Sequence, residues 1–159
     1  MLRHQKFIAF VNLKGNNINN QGFKAICKIL PHNTTLVNLN VEKNNITSLG
    51  LDCLTKIIKN EFAPLSLKEL ILSKNILGNN AIENFLSECS KSSLISHLEI
   101  SDCNLSFEND SSVFESLWYW SQIQKVDLSF NIISNPLESL TRDCVMNHPS
   151  LRHLNLSYC

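Results

Sequence analysis

The sequence predicts an α/β fold, a solenoid bent into a horseshoe arc, with parallel β-strands on the concave face and helices on the convex face. Two observations carry this. The frame LxxLxLxxNxL, with other aliphatics allowed for leucine, begins at Ile8, Leu36, Leu67, Ile95, Ile123 and Leu151, so the copies start 28, 31, 28, 28 and 28 residues apart. A segment with helical periodicity fills each interval. Self-similarity at such a period marks an array in which no unit can bury its apolar face alone and stacked neighbours share one core. About six repeats are expected, forming a single unit over residues 1–159.

The copies read IAFVNLKGNNI from residue 8, LVNLNVEKNNI from 36, LKELILSKNIL from 67, ISHLEISDCNL from 95, IQKVDLSFNII from 123 and LRHLNLSYC from 151, the last reaching only the ninth position. Apolar spacings of three and then two fit neither a helix nor an alternating strand. Each copy reads instead as a short strand, a turn and a helical return. The first, fourth and sixth residues (Leu36, Leu39 and Val41 in the second copy) point inward, and the eleventh (Ile46) closes the turn. The ninth residue is Asn16, Asn44, Asn75 or Asn131 in four copies and Cys103 or Cys159 in two. An amide offers both donors and an acceptor to backbone groups that no strand ladder reaches. Stacking therefore predicts a structural ladder of asparagines and cysteines.

Helices are predicted over 21–30, 48–58, 79–89, 111–120 and 137–146, with Ser48, Asn79, Ser111 and Asn135 as N-caps and Pro136 in a first turn. Pro31, Pro64 and Pro149 stand where helices must stop. The three extra residues of the second copy fall near 60–66, in a loop that tolerates insertion.

Framework assignment leaves the second, third, fifth, seventh and eighth residues of each copy for the concave surface and its rim. From these rows the residues expected to contact a partner protein are Phe10, Asn38, Asn40, Lys43, Glu69, Ile71, Lys74, His97, Glu99, Asp102, Lys125, Asp127, Phe130, His153 and Tyr158. Lys14, Lys43 and Lys74 lean the early repeats basic, whereas Glu99, Asp102 and Asp127 lean the fourth and fifth acidic. Phe130 and Tyr158 adjoin the acidic side, and aromatics beside charge are common interface anchors. A second candidate is SLWYW at 116–120, since three consecutive aromatics on a helix cannot all face one core. Either they wedge beneath the SQIQK connection or Trp118 and Tyr119 offer a convex contact.

Composition narrows the function. Equal numbers of basic and acidic residues give no net charge, which argues against nonspecific nucleic-acid or membrane-surface binding. No apolar run approaches the roughly 18 residues of a membrane span. The six cysteines, at 27, 53, 89, 103, 144 and 159, form no CxxC, and Cys144 with His148 lacks a second ligand pair, so no metal is expected. Dispersed single cysteines suit a reducing compartment, and a cytoplasmic location is expected. Five N-x-S/T sequons occur, but a chain this rich in Asn and Ser holds about three by chance. No GxSxG, phosphate loop or HExxH is present. His97 and His153 share a row two repeats apart, about 10 Å, too far to share a metal. Glu99 and Asp127 are neighbours about 5 Å apart, but on a wet, shallow face they suit partner binding better than acid–base work. The expectation is a non-enzymatic module with no cofactor.

The stretch NNINNQGFKAICKILPHNTTLVNLNVEKNNI resembles the ribonuclease-inhibitor-like class of leucine-rich repeats, in its N-x-I, the Gly opening the helix, the spaced aliphatics and the NTTL before the next strand. The resemblance covers essentially the whole chain. It implies a protein-interaction scaffold that binds through its concave face. Members of the class also include Ran GTPase-activating proteins, tropomodulins and axonemal repeat proteins. The resemblance therefore also admits a GTPase-activating module, or a structural part of an actin- or cilium-associated assembly. Capping repeats are not visible at either end, so the chain is expected to be a piece of a longer array, with Leu151, Leu154 and Leu156 half uncovered.

Overall fold

The structure is a computed structural model that describes residues 7–60, 65–107, 112–133 and 147–159. Each copy of the frame contributes one three-residue strand, made from its third to fifth residues. The strands are β1 (Phe10–Asn12), β2 (Asn38–Asn40), β3 (Glu69–Ile71), β4 (His97–Glu99), β5 (Lys125–Asp127) and β6 (His153–Asn155). They form one parallel sheet in the order β1-β2-β3-β4-β5-β6, with the third residue of each copy aligned on the third of the next: Phe10, Asn38, Glu69, His97, Lys125, His153. Parallel neighbours require a crossover, and helices supply it. These are α1 (Asn19–Cys27), α2 (Ser48–Ile58), α3 (Asn79–Ser92) and α4 (Ser112–Tyr119), each packed on the next.

The predicted helices are found with shifted ends. The 21–30 segment divides into α1 and a 3₁₀ turn, Leu30–His32, that takes Pro31 into its first turn. Helix α3 runs three residues beyond its expected end. Two N-cap expectations are off by one residue: Thr47 precedes α2 and Gly78, at φ 75°, precedes α3, so Ser48 and Asn79 are first helical residues. The Asn79 amide serves the next repeat instead, accepting from Ser106 N at 3.0 Å and donating to Ser106 O. The 137–146 helix, the caps Ser111 and Asn135, Cys144, Pro64 and most of the insertion loop lie outside the described residues.

The fourth residue of each copy, the middle one of its strand, is the inward one. Leu39, Leu70 and Leu98 are fully buried, whereas Val11 and Leu154 in the outer strands are only partly so. Against them pack Phe23, Leu51, Leu54, Ile82, Phe85 and Leu117 from the helices. Each such side chain contributes about 1.5–3 kcal/mol on burial. At Gly50 the helix approaches so closely that a Cβ would meet Ile46 Cγ2 at 2.7 Å and Asn20 Oδ1 at 2.8 Å.

The turn after each strand has a fixed geometry. Every eighth residue has a left-handed backbone: Gly15, Lys43, Lys74, Asp102, Phe130 and Tyr158, at φ 51–71°. The tenth residue divides by chemistry. Asn17, Asn45 and Asn104 are also left-handed, as Asn tolerates. Ile76 and Ile132 are β-branched and avoid that region. Each instead bridges in parallel to the preceding repeat, Ile76 to Thr47 and Ile132 to Ser106. Between these rows the ninth residues join the repeats. Asn75 Oδ1 accepts from Asn44 N (3.0 Å) and Ile46 N (2.9 Å), while its Nδ2 donates to Leu72 O (2.7 Å) and Val41 O (3.1 Å). Asn44 and Asn131 bond in the same way. Cys103 reproduces the donor half, its thiol reaching Ser101 O at 3.4 Å and Leu72 O at 3.6 Å.

Candidate functional site

The pleat places the third and fifth rows on the concave face, half-exposed in β2 to β5. These side chains pair across strands. Asn38 donates to Glu69. Lys125 Nζ lies 2.8 Å from Glu99 Oε1, and this carboxylate raises the Lys125 ammonium above its ordinary value. Asn155 Nδ2 donates to Asp127 Oδ2 at 3.0 Å. Glu99 and Asp127 are direct neighbours in register, as expected. The middle of the face therefore sets three carboxylates (Glu69, Glu99, Asp127) against one ammonium (Lys125). His97 and His153 continue the third row, Asn40 and Ile71 the fifth, and Phe10 stands well exposed in β1.

In the second, third and fifth copies the seventh row does not lie free as expected, although Lys14 and Ser157 in the outer copies are exposed. Glu42, Ser73 and Ser129 are buried. They sit where the strand dives into its turn: Ser73 Oγ accepts from Ser101 N at 3.1 Å, and Ser129 Oγ donates to Asp127 Oδ1 at 2.6 Å. Glu42 also alters the basic patch. Its carboxylate is held between Lys14 Nζ (2.7 Å) and Lys74 Nζ (3.0 Å). Burial pushes its carboxyl upward, but the two ammoniums outweigh that and hold it below the usual glutamate value. The early repeats are thus less basic than the lysines alone suggest. Lys43 alone of the three makes no ion pair among the described residues.

The eighth and tenth rows form a rim beside the strand ends. An open groove of about 700 Å³ runs along it, lined by Lys14, Glu42, Lys43, Lys74, Ile76, Asp102, Asn104, Phe130 and Ile132 among others. Phe130 stacks on Tyr158 with centroids 4.6 Å apart and planes at 15°, and both rings are largely exposed. Ile76 and Ile132 are exposed too, and the sequence reading missed them. The signal was present, because the tenth row is Asn in three copies and Ile in two. A left-handed residue with a Cβ costs about 1–2 kcal/mol.

A family profile described as "Leucine Rich repeat" matches residues 7–27 and 32–54. The chain is a leucine-rich-repeat protein. Its solenoid is similar to a solved structure titled "Leiomodin-1 Actin-Binding Site 2 (ABS2)", with a TM-score of 0.72 at 14% identity over 91% of this chain and 80% of that one. It is also similar to the tropomodulin C-terminal domain of Caenorhabditis elegans, with a TM-score of 0.70 at 13% identity over 81% of this chain and 78% of that one. At such identity the likeness is one of fold. The comparison with curated proteins gives no match.

On the convex side of this leucine-rich-repeat solenoid the three aromatics of SLWYW go three ways. Trp120 is buried, Tyr119 is 65% exposed, and half-buried Trp118 sets its ring edge against His148 at 5.9 Å. His148 is itself buried. Its Nδ1 accepts from Ser150 N (3.2 Å) and Leu151 N (2.9 Å), so the proton sits on Nε2, 3.0 Å from Leu117 O. Asn33 Oδ1 does the same in the second repeat, accepting from Thr35 N (3.0 Å) and Leu36 N (2.7 Å). Burial pushes the thiols of Cys27 and Cys103 up to about 12 and that of Cys89 well above its ordinary value, so all three stay protonated. Among the described residues no group of three His, Cys, Asp or Glu side chains could hold a metal, and no helix is long and apolar enough to cross a membrane. Arg152 is the only described arginine, and its guanidinium binds the carbonyls of Leu151 and Pro149.

Proposed function

We propose that this protein is a non-enzymatic interaction module that binds a partner protein across its concave face and the adjoining rim, in an intracellular setting. The observation that carries this is the continuous face of β2 to β5, on which Glu69, Glu99 and Asp127 outnumber Lys125 beside the exposed Phe130–Tyr158 stack. A rigid, curved sheet of this kind presents many side chains in fixed register and loses little entropy on binding. Partner-contacting positions are those of the third, fifth and eighth rows. The 28-residue period and complete helices favour the ribonuclease-inhibitor-like subclass. The test is capture from lysate on the immobilised chain with identification by mass spectrometry, repeated with Glu99→Lys and Asp127→Lys. Loss of a captured protein at unchanged melting temperature supports the reading. An identical set of captured proteins from chain and variants removes the concave face from it.

A second reading is that the partner is actin. It is favoured by the overlay of this solenoid, over 91% of its length, on a domain whose title names an actin-binding site. Co-sedimentation with filaments and cross-linking to monomeric actin test it. No association with either form ends it.

A further inference from the structure

We propose that the rim groove docks an extended segment of a partner protein that carries an acidic residue at one end, a neutral or basic middle, and a bulky apolar residue about four positions away. The proposal rests on the protein-interaction reading above and adds a place and a chemistry to it.

Three observations converge on this segment. The first is conformational. Phe130 and Tyr158 occupy the left-handed eighth position, which Gly15 fills without strain in the first repeat. Both rings point outward, so the strained backbone is not repaid by burial in the core, and only their mutual stack recovers part of it. Aromatics in such positions are explained by what they contact outside the chain. Ile132, beside Phe130, and Ile76, two repeats away, extend the apolar surface, because their backbone switches out of the left-handed region that Asn104 adopts between them.

The second observation is charge. At the other end of the groove Glu42 is already engaged by Lys14 and Lys74, and Lys43 stands without a carboxylate among the described residues. This end attracts an anion. Midway, Asp102 lies in the eighth row between Lys74 and Phe130, and its charge reaches Lys74. It repels an acidic residue in the middle of the occupant. The third observation is length. Lys43 and Phe130 are three repeats apart, about 14 Å at the strand spacing, which an extended chain covers in about four or five residues.

The probe is a fluorescein-labelled, end-blocked heptapeptide of two aspartates, three alanines, phenylalanine and leucine, followed by anisotropy. Three companion peptides replace the aspartates by lysines, the phenylalanine–leucine pair by serines, or the central alanine by aspartate. The parent is expected to bind, more weakly as salt rises, and each companion to bind at least tenfold more weakly. Lys43→Glu and Phe130→Gly should each weaken the parent at least tenfold. Glycine suits the backbone at position 130, so that variant folds, and Lys43 is an exposed site whose change does not touch the core. Absence of parent binding up to about 1 mM, the range of the weakest specific complexes, overturns the proposal. So does equal binding of the lysine-ended peptide, or parent binding that survives both variants. If the peptides fail while concave-face variants still lose a captured protein, the groove assignment alone falls. If the chain also captures nothing, the interaction reading falls with it.

Discussion

Replacement of Asn75 by leucine tests the physical basis of the repeat. Asn75 is 2% exposed and stands mid-array. Its Oδ1 takes two backbone N–H groups of the second repeat, and its Nδ2 gives hydrogens to Leu72 O and Val41 O, with a longer contact to Ser73 O at 3.3 Å. Leucine has the same branching and heavy-atom count, is somewhat bulkier, and has none of these functions. A neutral hydrogen bond contributes about 1 kcal/mol net, but a buried group left unpaired costs about 1–3 kcal/mol. With two N–H groups stranded, Val41 O losing the amide donor and Leu72 O left with only the weak Cys103 thiol, Asn75→Leu should destabilise by about 3–6 kcal/mol. That is a large part of the roughly 5–15 kcal/mol available to a domain. Asn75→Cys keeps a donor to the carbonyls, as Cys103 does, and should cost about 1–3 kcal/mol. Asn16→Ala, at the exposed end of the row, should cost under about 1 kcal/mol. Urea unfolding followed by far-ultraviolet circular dichroism gives all three, with the slope reporting whether unfolding stays cooperative. If Asn75→Leu lies within about 1 kcal/mol of the parent, or no lower than Asn16→Ala, the ladder is not what couples the repeats.

Three further outcomes follow from the geometry. The folded Glu42 carboxyl sits below its ordinary value of 4.5, so between the two values the unfolded chain holds more protons and stability rises with pH. Its contribution is complete above the ordinary value and is lost as pH falls through the lower folded one; the stability gap between parent and Glu42→Gln should narrow on acidification, and a gap independent of pH contradicts this. Gly50→Ala forces a Cβ to within 3 Å of Ile46 and Asn20 and should lower stability by about 1–3 kcal/mol in thermal melts, with no loss refuting the close approach. In the native protein a thiol reagent should modify Cys159 and, more slowly, Cys53, while Cys27, Cys89 and Cys103 react only on unfolding; fast modification of Cys103 would show that the interior is open.

The strand rows were legible because the frame is a ruler. Counting from Leu36 names Asn38, Leu39 and Asn40 as β2, and counting from Ile123 names Lys125, Val126 and Asp127 as β5, and the sheet aligns them in that register. Helix ends were less legible. Ser48 and Asn79 are good capping residues by type, yet each helix began one residue earlier than capping allows. The amide of Asn79 had a better use in holding Ser106 of the next repeat, a partner 27 residues away that no local propensity reveals. Charge was misjudged for a similar reason. Lys14, Lys43 and Lys74 read as a basic patch, but Glu42 folds between two of them.

The sequence by itself determined the repeat, its period, the inward first, fourth and sixth rows, the outward third and fifth rows and the identity of the ninth-row ladder, because these follow from residue type at fixed spacing, whereas the burial of the seventh-row residues Glu42, Ser73 and Ser129 does not. The tertiary structure decided what the outward residues do to one another. Lys125 meets Glu99, Asn155 meets Asp127, and Phe130 stacks on Tyr158 only because stacking brings positions 26 to 28 apart in sequence into contact. It also decided the rim. The left-handed eighth position and the extended backbone of Ile76 and Ile132 set which side chains stand clear of the solenoid, since backbone geometry, not hydropathy, aims them outward.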